Sequence, residues 1–230
     1  MFTLPGKDGV TDFPLPDEDG MFQHPNGRTY RQSSGILDLI EGDWDQTADH
    51  YTEQWGPDSD FQAFARQNPE AMRFTPGRQL GWPMLFESIR TRALDIPTLV
   101  YDAGCGFGGV LDALFAEPSP CSLYYLGADI HGSLATVRRP ERVGLDRVRL
   151  VRWDISRPLP FRQKFDFVIC RASIHHTVEP RTTFKSLVAS LAAHGTIAIS
   201  AYTTKSRPRE AIDNSLRAEI SRMPVEAAKR

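Results

Sequence analysis

The sequence predicts an α/β fold built on a doubly wound, mostly parallel β-sheet. Two observations predict it. The segment from Thr98 to Gly109 has the pattern of a buried strand, a turn with four glycines and the start of a helix, which is how nucleotide-binding α/β units begin. Strand-like and helix-like runs then alternate over residues 98–202, which indicates parallel strands joined by crossover helices.

The individual elements follow from local patterns. Short apolar runs that end at acids or turn residues predict strands, and apolar residues at helical spacing predict helices. Strands are predicted over 99–101, 123–128, 148–153, 165–170 and 196–202. Helices are predicted over 110–115, 132–139 and 184–191, and from Pro208 onward.

The chain before the sheet divides into two predicted segments. Residues 1–41 are a leader with a small β-hairpin, because Asn26 and Gly27 form a favoured two-residue turn. Residues 42–97 carry many aromatic residues and are predicted to form a helical lid over the ligand-binding edge. Tyr51, Trp55 and Arg78 are the candidate lid residues, although packing in the core is the more frequent role of such side chains. Residues 98–230 then form the ligand-binding domain.

Composition argues against several classes of partner. The 230 residues include 27 Lys and Arg against 29 Asp and Glu, so no basic surplus favours a nucleic-acid or membrane surface. The three cysteines are too few and too scattered for a disulfide framework or a zinc knuckle. Because no apolar segment reaches the length of a signal peptide or a membrane span, we expect a cytoplasmic protein with neither kind of partner.

The glycine turn fits two ligand classes. Gly104, Gly106 and Gly109 match the G-x-G-x-x-G fingerprint of dinucleotide sites. Asp102 followed by Gly104, Gly106 and Gly108 matches D-x-G-x-G-x-G, the form found in S-adenosylmethionine sites. A carboxylate at the strand tip repels a pyrophosphate but attracts an ammonium group such as that of a methionine moiety. Asp102 therefore favours S-adenosylmethionine, with an NAD-dependent oxidoreductase as the alternative.

Two further acids end the next two strands. Asp129 lies 25 positions after Gly104, close to the ~20-residue offset of a ribose-binding carboxylate, and a carboxylate can accept from both ribose hydroxyls. Asp154 stands where an acid could accept from the adenine amino group, and Ile155 beside it could cover the ring. The carboxyl ends of parallel strands meet at one edge, so Asp102, Asp129 and Asp154 are predicted to share one cleft.

Six motifs in this order resemble the class I S-adenosylmethionine-dependent methyltransferases. They are residues 100–109 (VYDAGCGFGG), 126–130 (LGADI), 153–155 (WDI), 165–170 (FDFVIC), 174–177 (IHHT) and 194–199 (HGTIAI). The His-His-Thr step, together with the later Tyr202 and residues 209–213 (REAID), is also similar to a poorly characterised bacterial group of small-molecule methyltransferases. The resemblance implies a Rossmann-like sheet and methyl transfer from S-adenosylmethionine to an oxygen or nitrogen of a small-molecule acceptor.

The resemblance also implies site residues. Those for the cofactor are Asp102, Gly104, Cys105, Gly106, Gly108, Asp129, Ile130, Asp154, Ile155 and Arg171. Arg171 falls where the family lines the path to the methyl group. His175 or His176 is the candidate general base, with a purely structural role as the alternative. The hairpin leader resembles a zinc-ribbon-like leader that precedes some methyltransferases, but its metal-binding cysteines are absent, so no metal is implied.

One feature departs from the family pattern. The family sheet has seven strands, and its last two form an antiparallel hairpin. Only five strands can be placed in this sequence, so the C-terminal strands are expected to be missing. A non-catalytic module with the same fold is therefore a third hypothesis, although a scaffold has no use for three acids at adjacent strand tips.

Overall fold

The computed structural model describes residues 21–23, 29–33, 36–40, 63, 67, 81–116, 122–130, 134, 137, 147–160, 163–201, 215, 218–219 and 222. The chain divides into two compact units, residues 1–200 and 201–230. In the second unit, positions 215, 218 and 219 are helical, within the segment where the last helix is predicted. The sheet and the candidate site belong to the first unit.

Eight strands form one sheet among the described residues. They are β1 (Met21–Gln23), β2 (Thr29–Ser33), β3 (Ile36–Asp38), β4 (Thr98–Ala103), β5 (Leu123–Asp129), β6 (Val148–Arg152), β7 (Phe165–Arg171) and β8 (Leu191–Ser200). The helices are α1 (Gly81–Asp95), α2 (Gly109–Leu114) and α3 (Pro180–Ala189), with a 3-10 turn over Ile174–His176. No helix among the described residues is long and apolar enough to cross a membrane.

The strand order is β1-β2-β3-β6-β5-β4-β7-β8, and the six strands from β3 to β8 run parallel. This confirms the predicted α/β class and the mostly parallel sheet. Chain order reverses at β4, which pairs with β5 on one side and with β7 on the other. In open α/β sheets ligands bind at the carboxyl ends of the strands beside such a switch point. Asp102 lies at that end of β4.

The leader adds three strands to the edge of the sheet. β1 and β2 pair antiparallel, as predicted, with Met21 opposite Arg31 and Gln23 opposite Thr29. This register is one residue away from that of the predicted two-residue turn at Asn26 and Gly27, which would place Gln23 opposite Tyr30. β3 then pairs in parallel with β6, and Asp38 stands opposite Arg152. The leader therefore reaches the carboxyl edge of the sheet, which its sequence did not indicate.

Helix α1 is the part of the predicted lid segment that the structure describes as a continuous element. Pro83 stands in its first turn, as predicted, where a missing N–H costs little. Its buried residues Phe86 and Ile89 belong to one apolar cluster with Leu111 and Leu114 of α2, on one face of the sheet. The lid candidates Tyr51, Trp55 and Arg78 lie outside the described residues, so the lid itself stays a prediction.

Strand β8 is longer at its start than predicted. It begins at Leu191 rather than Thr196, and its register against β7 is interrupted, because Phe165 faces Leu191 while Phe167 faces Thr196. His194 has a φ of 66° inside this irregular stretch. Among the described residues β8 is the last strand on its side of the sheet.

Candidate active site

The glycine loop after β4 is shaped by left-handed backbone. Gly104, Gly106 and Gly108 have φ values of 77°, 52° and 83°, which side chains with a Cβ rarely adopt. A Cβ on Gly104 would lie 2.3 Å from Ser173 Oγ, so internal packing excludes any larger residue there. A Cβ on Gly106 would meet no atom of the described residues within 4 Å. The loop is therefore packed against Ser173 at Gly104, whereas no described residue crowds it at Gly106.

The loop is bonded to the end of β5. The N–H groups of Gly104 and Cys105 donate to the carbonyl oxygen of Ala128 at 2.8 and 3.1 Å. The N–H of Gly106 donates to Asp129 Oδ2 at 2.8 Å. The glycine loop and the predicted ribose-binding acid are thus brought together directly.

Asp102 is buried, with 1% of its surface exposed. Its Oδ2 accepts a hydrogen bond of 2.6 Å from the Tyr125 hydroxyl, whereas no donor among the described residues reaches its buried Oδ1. Burial raises the pKa of Asp102 to about 7; the hydrogen bond from Tyr125 and the charge of Arg171 lower it, and Asp129 raises it. A buried acceptor without a donor, beside a second carboxylate, fits a cationic group such as an ammonium.

Asp154 and Ile155 follow β6. The N–H of Trp153 donates to the carbonyl oxygen of Asp129 at 3.0 Å, so the end of β6 lies next to Asp129. Asp154 accepts a hydrogen bond of 2.9 Å from the N–H of Ser156, and its Oδ2 lies 3.5 Å from Arg157 Nε. Ile155 is buried in the core, and its Cδ1 would lie 3.7 Å from a Cβ on Gly104. Its side chain therefore supports the glycine loop.

Cys105 and Ile130 each contact neighbouring parts of the protein. A Cβ on Gly127 would lie 2.9 Å from Cys105 Sγ, so the thiol packs against the sheet, and burial raises its pKa. The carbonyl oxygen of Ile130 accepts a hydrogen bond of 3.2 Å from Arg152 Nε. Arg152 in turn pairs with Asp38 of the leader, Nη1 to Oδ2 at 3.1 Å.

The end of β7 closes over the glycine loop. Ala172 has a φ of 56°, a costly conformation for a residue with a Cβ, and it directs the chain into the 3-10 turn. The hydroxyl of Ser173 lies 3.1 Å from the carbonyl oxygen of Gly104. Arg171 Nη1 would lie 3.6 Å from a Cβ on Gly109, which places the guanidinium beside the loop. Burial lowers the pKa of Arg171, and the nearby Asp102 opposes this shift.

His175 and His176 lie on the 3-10 turn. Their ring centroids are 4.1 Å apart. Burial lowers the pKa of both imidazoles, and the neighbouring His176 lowers that of His175 further. Both rings are therefore neutral near pH 7, the form that can accept a proton. Their role in catalysis stays a prediction.

Sequence analysis missed several residues that build this site. Tyr125, Arg152, Ser173 and Asp38 each bond to a predicted site residue or its neighbour. Tyr125 left one signal, a polar-tipped aromatic residue two positions before a glycine in a buried strand. That signal does not identify Asp102 as the partner of Tyr125 until the register of β4 against β5 is known. The other three residues have no recognisable signal in the sequence.

Residues 101–197 match the sequence family described as a methyltransferase domain. This segment is similar to a methyltransferase domain. The resemblance to class I methyltransferases, predicted from the six motifs, is thereby confirmed for this segment. The matched segment includes every residue predicted for the cofactor and both candidate histidines. No protein of curated function matches the sequence.

Three solved structures are similar to this chain. The N-methyltransferase NodS from Bradyrhizobium japonicum WM9, in complex with S-adenosyl-L-homocysteine, is 14% identical with a TM-score of 0.49, over 67% of this chain and 72% of NodS. The amino pentose methyltransferase CalS10 from Micromonospora echinaspora, with SAM bound, is 22% identical with a TM-score of 0.44, over 64% of this chain and 58% of CalS10. The plantazolicin methyltransferase BpumL, in complex with SAH, is 16% identical with a TM-score of 0.49, over 74% of this chain and 62% of BpumL. This chain thus spans less than two thirds of the length of CalS10 and of BpumL.

Proposed function

We propose that this domain binds S-adenosylmethionine and transfers its methyl group to an oxygen or nitrogen of a small-molecule acceptor. The observation that carries the proposal is the buried Oδ1 of Asp102, an acceptor that no described residue reaches with a donor, next to a glycine loop that is bonded to Asp129. The family match of residues 101–197 supports the same reaction. A dinucleotide, with its pyrophosphate, would bring negative charge to a carboxylate that already has a negative neighbour.

The methionine end of the cofactor is assigned to the glycine loop and β7. Asp102 would accept from the ammonium group, and the loop from Gly104 to Gly108 would lie along the methionine chain. Arg171 stands beside the loop and would line the path to the methyl group. An ammonium group gains by moving from solvent to Asp102, because the Oδ1 atom then has a donor, which none of the described residues supplies.

The nucleoside end is assigned to the tips of β5 and β6. A carboxylate offers acceptor sites for several donors, so Asp129 can hold the ribose hydroxyls while it accepts from Gly106. Asp154 would accept from the adenine amino group, with Ile130 and Ile155 at the walls of the pocket. The bonded ends of β5 and β6 support this order along the cleft.

When bound, S-adenosylmethionine supplies a methyl group that its positively charged sulfur already activates. The chain therefore has to align the acceptor behind the methyl group and exclude water, and such positioning can contribute roughly 7–11 kcal/mol. His175 or His176 would take the proton that a hydroxyl or amine acceptor releases as its new bond to the methyl carbon forms. Their lowered pKa keeps one imidazole neutral for this step.

A cytoplasmic location is also part of the proposal. Cys105 and Cys170 are buried free thiols in the core. Unpaired cysteines are typical of proteins from a reducing compartment.

Titration calorimetry tests the proposed function. S-adenosylmethionine should bind, NADH should not, and Asp129→Ala should weaken binding by about 1–3 kcal/mol because it leaves ribose hydroxyls unpaired. Asp95→Ala, which removes an exposed acid at the end of α1, is the matched control and should bind like the wild type. A wild-type chain that binds NADH, or that does not bind S-adenosylmethionine, contradicts the proposal. Formation of S-adenosylhomocysteine with a metabolite extract then separates an enzyme from a non-catalytic module.

A further inference from the structure

Tyr125 is the buried partner of Asp102. It lies on β5, with 1% of its surface exposed, and its hydroxyl donates to Asp102 Oδ2 at 2.6 Å. That distance is in the range of charge-assisted O–H···O⁻ hydrogen bonds. Burial raises the pKa of Tyr125 well above its ordinary value, so the phenol keeps its proton and is the donor.

The sheet makes room for this contact. Gly127 stands directly opposite Asp102 in the pairing of β4 with β5. A Cβ at Gly127 would come within 2.9 Å of Tyr125 Cε1, so the missing side chain lets the Tyr125 ring pass and reach Asp102. The ring also meets Phe115 edge to face, with centroids 6.4 Å apart. The phenol is therefore held in place from two sides.

The groups around Asp102 shift its pKa in opposite directions. Burial and the carboxylate of Asp129 favour the neutral acid, whereas Tyr125 and the guanidinium of Arg171 favour the carboxylate. The thiols of Cys105 and Cys170 also lie nearby, and burial raises the pKa of both, so they stay neutral. Of the two groups that favour the carboxylate, Tyr125 is the one with a direct hydrogen bond to it among the described contacts.

We propose that Tyr125 is a positioning residue of the cofactor site, which favours the ionised form of Asp102 and fixes its Oδ2, so that Oδ1 accepts from the amino group of the methionine moiety. The inference rests on the proposed function, because it assigns that amino group to Asp102. Tyr125 itself touches Asp102 and not the ligand. Its effect should therefore be confined to ligands that carry the amino group.

The test compares two ligands with the same nucleoside end. S-adenosylhomocysteine carries the amino acid moiety, and methylthioadenosine lacks it. Calorimetry from pH 6 to pH 9 should show that Tyr125→Phe binds S-adenosylhomocysteine at least tenfold more weakly than the wild type at pH 7, with methylthioadenosine affinity within twofold. The variant's affinity for S-adenosylhomocysteine should also rise with pH over a range that lies about one pH unit higher than in the wild type.

Tyr101→Phe is the matched control. Tyr101 is equally buried, lies on the neighbouring β4 and packs against Phe165 with ring centroids 5.4 Å apart, in the apolar cluster on the opposite face of the sheet. Removing its hydroxyl should leave the affinities for both ligands and their pH profiles unchanged.

The possible outcomes separate the two proposals. If the wild type binds neither ligand, the proposed function fails. If the wild type binds both and Tyr125→Phe leaves S-adenosylhomocysteine affinity unchanged, or weakens both ligands equally, the positioning role of Tyr125 is wrong. Native affinity for methylthioadenosine shows that the variant is folded. In the Asp102→Asn background, where no charge remains to be held, Tyr125→Phe should cause less than a twofold further loss, and a full additional tenfold loss would also overturn the inference.

Discussion

Two buried aspartates at opposite ends of neighbouring strands have different surroundings. Asp166 stands at the amino end of β7, and both of its oxygens are taken, by Arg92 Nη2 and by the N–H of Leu99, each at 3.0 Å. Asp102 stands at the carboxyl end of β4, where one oxygen accepts from Tyr125 and the other has no donor among the described residues. The described residues satisfy both oxygens of Asp166, whereas they leave one oxygen of Asp102 for the proposed ligand.

Backbone conformation follows the same division. Four of the five described residues with positive φ lie at the carboxyl end of the sheet, in the glycine loop and at Ala172, and the fifth is His194 in the irregular part of β8. Strained or glycine-dependent backbone is retained where the surrounding structure holds it, and it concentrates at functional sites. We therefore expect the amino end of the sheet to contribute mainly to stability and the carboxyl end to contribute to the proposed binding, which three measurements can test.

The largest expected effect is on the pH dependence of stability at the carboxyl end. Without ligand, the pKa of Asp102 in the folded protein is about 7, whereas in the unfolded chain it is near its ordinary value of 3.8. The contribution of this group to stability is therefore fully present below pH 4 and lost as the pH rises to 7, at a cost of about 4 kcal/mol. Asp102→Asn removes this cost and can still accept from Tyr125. Urea unfolding without ligand should show the variant gaining on the wild type between pH 4 and pH 8, and parallel curves would contradict a buried, ionisable Asp102.

The second effect is the opposite response at the amino end. Asp166→Ala leaves the buried N–H of Leu99 without an acceptor and removes the partner of Arg92, so it should lower the free energy of unfolding by about 2 kcal/mol. S-adenosylhomocysteine affinity measured by calorimetry should stay within twofold of the wild type, since Asp166 starts β7 and the ligand is assigned to the other end. A large loss of affinity in a folded Asp166→Ala variant would mean that the two ends are coupled.

The fold was more predictable than the contacts of the site. Buried strands are recognisable in the sequence as apolar runs, so β4 to β7 could be predicted. Acids at the ends of those runs indicate the ligand-binding edge, so the proximity of Asp102 and Asp129 could be predicted as well. Contacts between strands depend on register, which sequence does not state. The reach of Tyr125 past Gly127 to Asp102, and the docking of β3 on β6, are of this kind.

Helix α3 shows a second limit. Its apolar spacing predicts that Phe184, Leu187 and Val188 share a buried face, but only Leu187 is buried, while Phe184 and Val188 are 44% and 41% exposed. Thr183 and Ser186 are buried instead. Their hydroxyls have partners, Thr183 with Thr177 at 2.8 Å and Ser186 with the carbonyl oxygen of Ser156 at 3.0 Å. These hydrogen bonds offset the cost of burying polar groups. The apolar spacing of α3 therefore does not identify the face that is buried.

The smallest expected effect concerns the leader's contribution to the carboxyl end. Asp38 pairs with Arg152, whose Nε holds the carbonyl oxygen of Ile130, so the leader is bonded to the assigned nucleoside pocket. The pair is partly exposed, at 33% and 41% of the two side chains, and such ion pairs contribute at most about 1 kcal/mol. Asp38→Asn should therefore weaken methylthioadenosine binding by less than about fivefold in calorimetry. Because salt screens exposed charges, the difference from the wild type should shrink toward zero in 1 M NaCl. A loss above tenfold, or one that persists in high salt, would show that β3 supports the pocket by more than this ion pair and is as much a part of the binding end as β4.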